Sequence, residues 1–150
     1  MNAFMREGAV EVAHVRNQLR IAIETARQKA QTRRQQIAEA EQAFERFIAM
    51  ATPVLRQLAG AMRAEGLAFT LFTPEHALRL ASDRSRVDFV ELALDTSVTP
   101  PTVMARVSYA RGSRTLDVER PLKPGSSPDT LTEEDLLAFI LTALDPWLER

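Results

Sequence analysis

Apolar residues recur along the first third of the chain in steps of three and four: Val12, Val15, Leu19, Ile23, Ala26, Ala30, Ile37, Ala40, Phe44, Phe47 and Ala51. That spacing puts side chains on one face of a helix. Between Ala3 and Thr52 the only glycine is Gly8, and there is no proline. Good helix formers (Ala, Gln, Arg, Glu, Leu) fill most of the stretch. Arg33 stands where the row calls for an apolar residue, inside the wholly polar run 31–36. A helical hairpin would turn there, but the run has no Gly, Pro, Asn or Asp to make the turn. The row also resumes in phase at Ile37, so one continuous helix is predicted. Thr52 followed by Pro53 reads as an N-cap and first helical position. A second helix is therefore predicted over 53–65, with Val54, Leu55, Leu58 and Met62 on its apolar side and Gly66 closing it. Either the first helix stops near Met50 or the two run on with a kink.

Beyond Gly66 the period changes. Residues 67–73 are rich in strand formers, and Thr73 to His76 make a turn. Residues 77–82 alternate as a strand, although Thr73-Pro74-Glu75 would also suit the start of a short helix; strand is the preferred reading. Residues 87–95 are apolar on both faces, as expected of a central strand. Residues 102–110 and 113–120 read as a hairpin across Arg111 and Gly112. A two-residue loop places Val107 opposite Leu116, Ala105 opposite Val118 and Arg106 opposite Asp117, which keeps the apolar set on one face. A Pro/Gly/Ser-rich linker, 121–129, leads to a last helix. Thr132 is its expected N-cap, acids at 133–135 suit the helix dipole, and Leu131 and Leu136 stand at staple positions. Leu136, Leu137, Ile140, Leu141 and Leu144 form its apolar face, Pro146 ends or kinks it, and Trp147 is a packing anchor.

Strands in succession with helices segregated at either end define an α+β class. The expected architecture is a long N-terminal amphipathic helix and a second helix, an antiparallel four- or five-stranded meander, and a C-terminal helix packed on the sheet. The expected division is an oligomerisation or partner-binding arm over 1–52 and a compact α+β domain over 53–150. A helix of about 45 residues is about 70 Å long, against a radius of gyration of about 15 Å for a compact chain of this size. Part of the row is therefore expected to need another chain to cover it.

Composition changes this picture little. Of 150 residues, 45% are hydrophobic and 26% charged, which suits a globular chain. There is no cysteine, so disulfides, thiolate metal sites and a cysteine nucleophile are excluded. No signal-peptide pattern or membrane-span-length apolar stretch is present, and the cytoplasm is the expected location. Abundant Ala and Arg fit a GC-rich bacterial genome.

Charge matters more. Net charge is −1 overall, yet Arg16, Arg20, Arg27, Lys29, Arg33 and Arg34 crowd one stretch with Glu24 as the only acid between them. Glu39, Glu41 and Glu45 follow. An antiparallel coiled-coil pair centred near Gln36 would set these arginines beside a partner's glutamates, whereas a parallel pair would stack like charges. The expected interface is Val12, Val15, Leu19, Ile23, Ala26, Ala30 and Ile37.

The six cations are also candidate anion or nucleic-acid contacts, but no aromatic residue for base stacking lies among them. His76 with Glu75 is a candidate acid–base pair. His14 has no ligand-spaced partner. Asp88, Glu91 and Asp95 read as strand solvation. No catalytic, cofactor-binding or metal-ligating set is found, and no cofactor is expected. The preferred function is a non-enzymatic protein–protein interaction module that homodimerises through its N-terminal helix. The alternatives are a nucleic-acid-associated protein using the arginine face, and a small-molecule binder or enzyme with a pocket between sheet and helices.

Overall fold

The computed structural model describes residues 2–149, with side chains from residue 11 onward. In order, the chain forms α1 (Asn2–Ala64), β1 (Phe69–Phe72), β2 (Ala77–Ser82), β3 (Phe89–Asp95), β4 (Thr102–Arg111), β5 (Arg114–Pro121), a 3-10 turn (Pro128–Thr130), α2 (Glu133–Ala143) and α3 (Asp145–Leu148). It is α+β, with two compact units, Met1–Gln36 and Ile37–Arg150. Residues 77–82 are a strand, and 31–36 are helical.

Of the two readings at Thr52 and Pro53, the helix runs on rather than stopping, so the stretch read as a second helix is the last part of one continuous helix. α1 carries Pro53 inside it. The Thr52 hydroxyl donates to the Ile48 carbonyl at 2.7 Å. An interior proline costs about 3 kcal/mol. Burial of Ala51, Leu55, Ala59 and Met62 on the same helix offsets that cost. Pro53 itself faces water. The helix ends in a Schellman arrangement: Leu67 N–H donates to the Met62 carbonyl and Gly66 N–H to that of Arg63, at 2.8 and 3.1 Å. Gly66 takes the left-handed φ of 87° this requires.

The five strands pair antiparallel in sequence order, with β3 central. One face of the sheet carries Phe69, Leu78, Leu80, Val90, Leu92, Val103, Ala105 and Val107 into the core. Phe44, Phe47, Ala51, Leu55, Ala59 and Met62 of α1 and Leu136, Ile140, Ala143, Leu144 and Trp147 of the C-terminal helices complete that core. Trp147 stands edge-on to Phe69 and Tyr109, with ring centroids 5.3 and 6.2 Å away.

The β4–β5 hairpin has a two-residue loop, but at Gly112 and Ser113. Val107 therefore faces Val118, Tyr109 faces Leu116 and Arg106 faces Glu119. The predicted alternation of faces holds while the partners move by two residues. Turn chemistry decides this: the first loop position needs a positive φ, which Gly112 supplies at 64° and arginine would resist. Arg106 still reaches Asp117 diagonally, at 2.7 Å.

Thr132 caps α2 as expected. Its Oγ1 accepts from Asp135 N–H, and the Asp135 carboxylate accepts from Thr132 N–H, at 3.2 and 3.1 Å. Thr132→Ala is expected to cost about 1 kcal/mol, read as a lower midpoint in urea.

The acid limit of stability follows from five carboxyls among the described residues held below their ordinary value, Asp83, Asp95, Asp117, Asp129 and Asp135. Asp83 is lowered by the Thr70 hydroxyl and Arg63, Asp117 by Arg106, and Asp135 by the Thr132 N–H. A carboxyl lowered in the folded state contributes stability that is complete above its unfolded value and lost as pH falls through its folded one. Thermal midpoints should be flat from about pH 7 to about pH 5 and drop below about pH 4. A midpoint that rises on acidification would refute this.

Candidate interaction surface

In the unit Met1–Gln36, every described side chain, 11 through 36, is exposed. Val12, Val15, Leu19 and Ile23 keep 52, 63, 58 and 40% of their surface in water. Ala26 and Ala30 on the same face are also exposed, and Ile37, where the second unit begins, is half-buried. The expected interface residues thus make one wet apolar row on a single helix face. Arg16, Arg20, Arg27 and Arg34, spaced by four and seven, run along one flank of that row. Lys29 and Arg33 are exposed as well. Ile21 is exposed off the row.

The two units differ in charge. Residues 1–36 hold seven of the nineteen basic and three of the twenty acidic side chains, a net +4, which leaves −5 on 37–150. A basic apolar surface and an acidic remainder lie on one chain.

Within 37–150, α1 and the far end of β3 bound an open groove of about 530 Å³. Ala38, Phe44, Leu94 and Thr96 supply its apolar lining, and Glu41, Gln42, Glu45 and His76 its polar lining. His76 occupies a left-handed backbone position, φ 59°, at the end of the β1–β2 turn. Its Nδ1 lies 3.3 Å from Glu45 Oε1 and its Nε2 3.4 Å from Glu75 Oε1. The pair read from sequence, His76 and Glu75, so acquires a third member from α1. All three side chains are well exposed, and exposed pairs of this kind contribute little energy. Glu45 and Glu41 make the groove's rim acidic.

The carboxylates on β3 do not converge. Glu91 pairs with Arg79 at 2.5 Å. Asp95 accepts from the Ser97 hydroxyl and N–H, which lowers its pKa. Asp88, just ahead of β3, departs from the solvation reading: it is buried and accepts from Ala110 N–H at 2.9 Å. On the face of the sheet away from the core, which carries Glu91, Phe89 lies under the Arg79 and Arg106 guanidiniums, 4.2 and 5.4 Å from its ring centre. This is a solvated, internally paired sheet face. Among the described residues no three His, Asp or Glu side chains gather as a metal site, and no helix is long and apolar enough to cross a membrane.

Sequence reasoning offered a pocket between sheet and helices only as an alternative and did not name its lining, because Leu94, His76 and Glu45 are far apart in the chain. It also placed Leu137 and Leu141 with the packing face of α2. Both are exposed, Leu141 by 51%, while Leu136, Ile140, Ala143 and Leu144 are buried. The apolar arc of α2 is wider than one contact covers, and that width was the available signal. Compared with known proteins, the chain matches no family model, and no curated protein or solved structure is significantly similar to it.

Proposed function

We propose that this chain is a non-enzymatic protein–protein interaction module that self-associates through the row Val12, Val15, Leu19, Ile23, Ala26, Ala30 and Ile37. The observation that carries this is the exposure of four large aliphatic side chains on one helix face. Burying each fully would contribute roughly 1.5–3 kcal/mol. Exposed single apolar residues are ordinary, but an aligned row of them marks a contact surface.

Charge selects the arrangement. Parallel pairing sets each arginine against itself. Antiparallel pairing of the row on itself, centred between Glu24 and Thr25, sets Arg16 against Arg33 and Arg20 against Lys29. Antiparallel pairing centred near Gln36 sets Arg27 of one copy beside Glu45 of the other, and Arg33 beside Glu39. The last arrangement sets two cations beside acids and one, Arg16, beside Arg56, whereas the other two set only like charges together, so it is the proposed homodimer. These surface pairs choose orientation more than they supply affinity.

Light scattering on the full chain and on a chain shortened to 35–150 tests the reading. The full chain should weigh twice its 16.8 kDa, and the shortened chain should be a monomer. A full chain that stays monomeric at every concentration would end the proposal.

A further inference from the structure

We propose that the groove between α1 and the end of β3 is the receiving surface for a second copy of this chain, taking up its residues 27–34. This rests on the self-association reading above and adds what the helix docks against. The antiparallel crossing near Gln36 was chosen from charge alone. It sets Arg27 at Glu45, Ala30 at Gln42, Gln31 at Glu41 and Arg34 at Ala38. All four of those receiving residues line the groove.

The chemistry matches at each step. Arg27 and Arg34 meet a rim carrying Glu41 and Glu45, the second of which lies 3.3 Å from His76. Ala30 has a small side chain, so the incoming helix can approach Gln42 closely. Leu94, half-buried at the end of β3, offers the apolar contact. The net +4 of residues 1–36 meets the net −5 of 37–150. A two-fold axis repeats the contact, so each copy's helix enters the other's groove and the assembly closes as a dimer.

The test uses full-length chains weighed by light scattering. The double variants Arg27→Glu/Arg34→Glu and Glu41→Arg/Glu45→Arg should each fall to 16.8 kDa alone. Mixed in equal amounts they should return to twice that mass, because each arm then meets a groove of opposite charge. Leu94→Glu, which leaves α1 untouched, should also be monomeric with an unchanged circular dichroism spectrum. Suppose instead that the groove variants stay dimeric while Leu19→Glu/Ile23→Glu is a monomer. The groove is then overturned and self-association stands, with the exposed Leu137 and Leu141 of α2 as the next surface. A wild-type monomer overturns both.

Discussion

Leu19→Glu/Ile23→Glu is expected to leave a folded monomer, with at least a ~10³-fold loss of dimer affinity. A dimer contains four copies of these two positions. Their full burial is worth roughly 6–12 kcal/mol in total, and about 4 kcal/mol already corresponds to ~10³-fold. The substitution also sets carboxylates into an apolar contact. The helix itself should survive, since glutamate is a good helix former, and the like charges at 19 and 23 are offset by the favourable spacing of position 23 before Arg27. The unfolding transition of residues 37–150 should lose only what dimerisation contributes and become independent of protein concentration, because neither side chain touches that core. Unchanged mass in this variant would mean the row is not the contact. Lost mass together with lost helicity would mean the row stabilises its own helix.

Leu80→Ala is expected to cost about 2–5 kcal/mol of stability. Leu80 is 1% exposed in β2. Leu71 and Val90 stand across from it on the neighbouring strands. Both helical layers close over the same cluster, so neighbours cannot collapse into the space left. A domain of this kind has only about 5–15 kcal/mol in all. The urea midpoint should fall steeply while the slope of the transition stays constant. Leu141→Ala supplies the contrast. It removes the same atoms from an exposed position and should shift stability by no more than about 0.5 kcal/mol. Equal effects at positions 80 and 141 would contradict the burial described for the two leucines.

Local chemistry made much of the fold legible. Thr132 with Asp135, and Gly66 after Met62, are capping signals complete within a few residues, and both formed. Apolar residues on both faces of 87–95 pointed to a central strand, and β3 is central. In detail its outer phenylalanine, Phe89, is covered by two arginines rather than by another layer. Alternation fixed which face each side chain of the β4–β5 hairpin takes, because that depends only on parity. The partners themselves depended on where the turn fell, and Gly112 decided that.

Less was legible wherever two distant segments meet. No local signal places His76 beside Glu45, or Leu94 in a groove with Ala38. Pro53 looked like a boundary because its own cost is local, whereas the burial that outweighs it comes from the sheet. Leu137 and Leu141 looked like core because hydrophobicity reports an appetite for burial, not its fulfilment.

The sequence by itself determined the helix period, the strand alternation, the caps and the division of charge, all of which depend on neighbours within a turn or two. Only the tertiary structure decided which part of the apolar row is covered. Ala40, Phe44, Phe47 and Ala51 are buried, while Val12, Val15, Leu19 and Ile23 are wet. The spacing is the same in both stretches. Periodicity defines a face, but burial requires a second surface across from it, and the β-meander provides one only for the residues beyond Ile37.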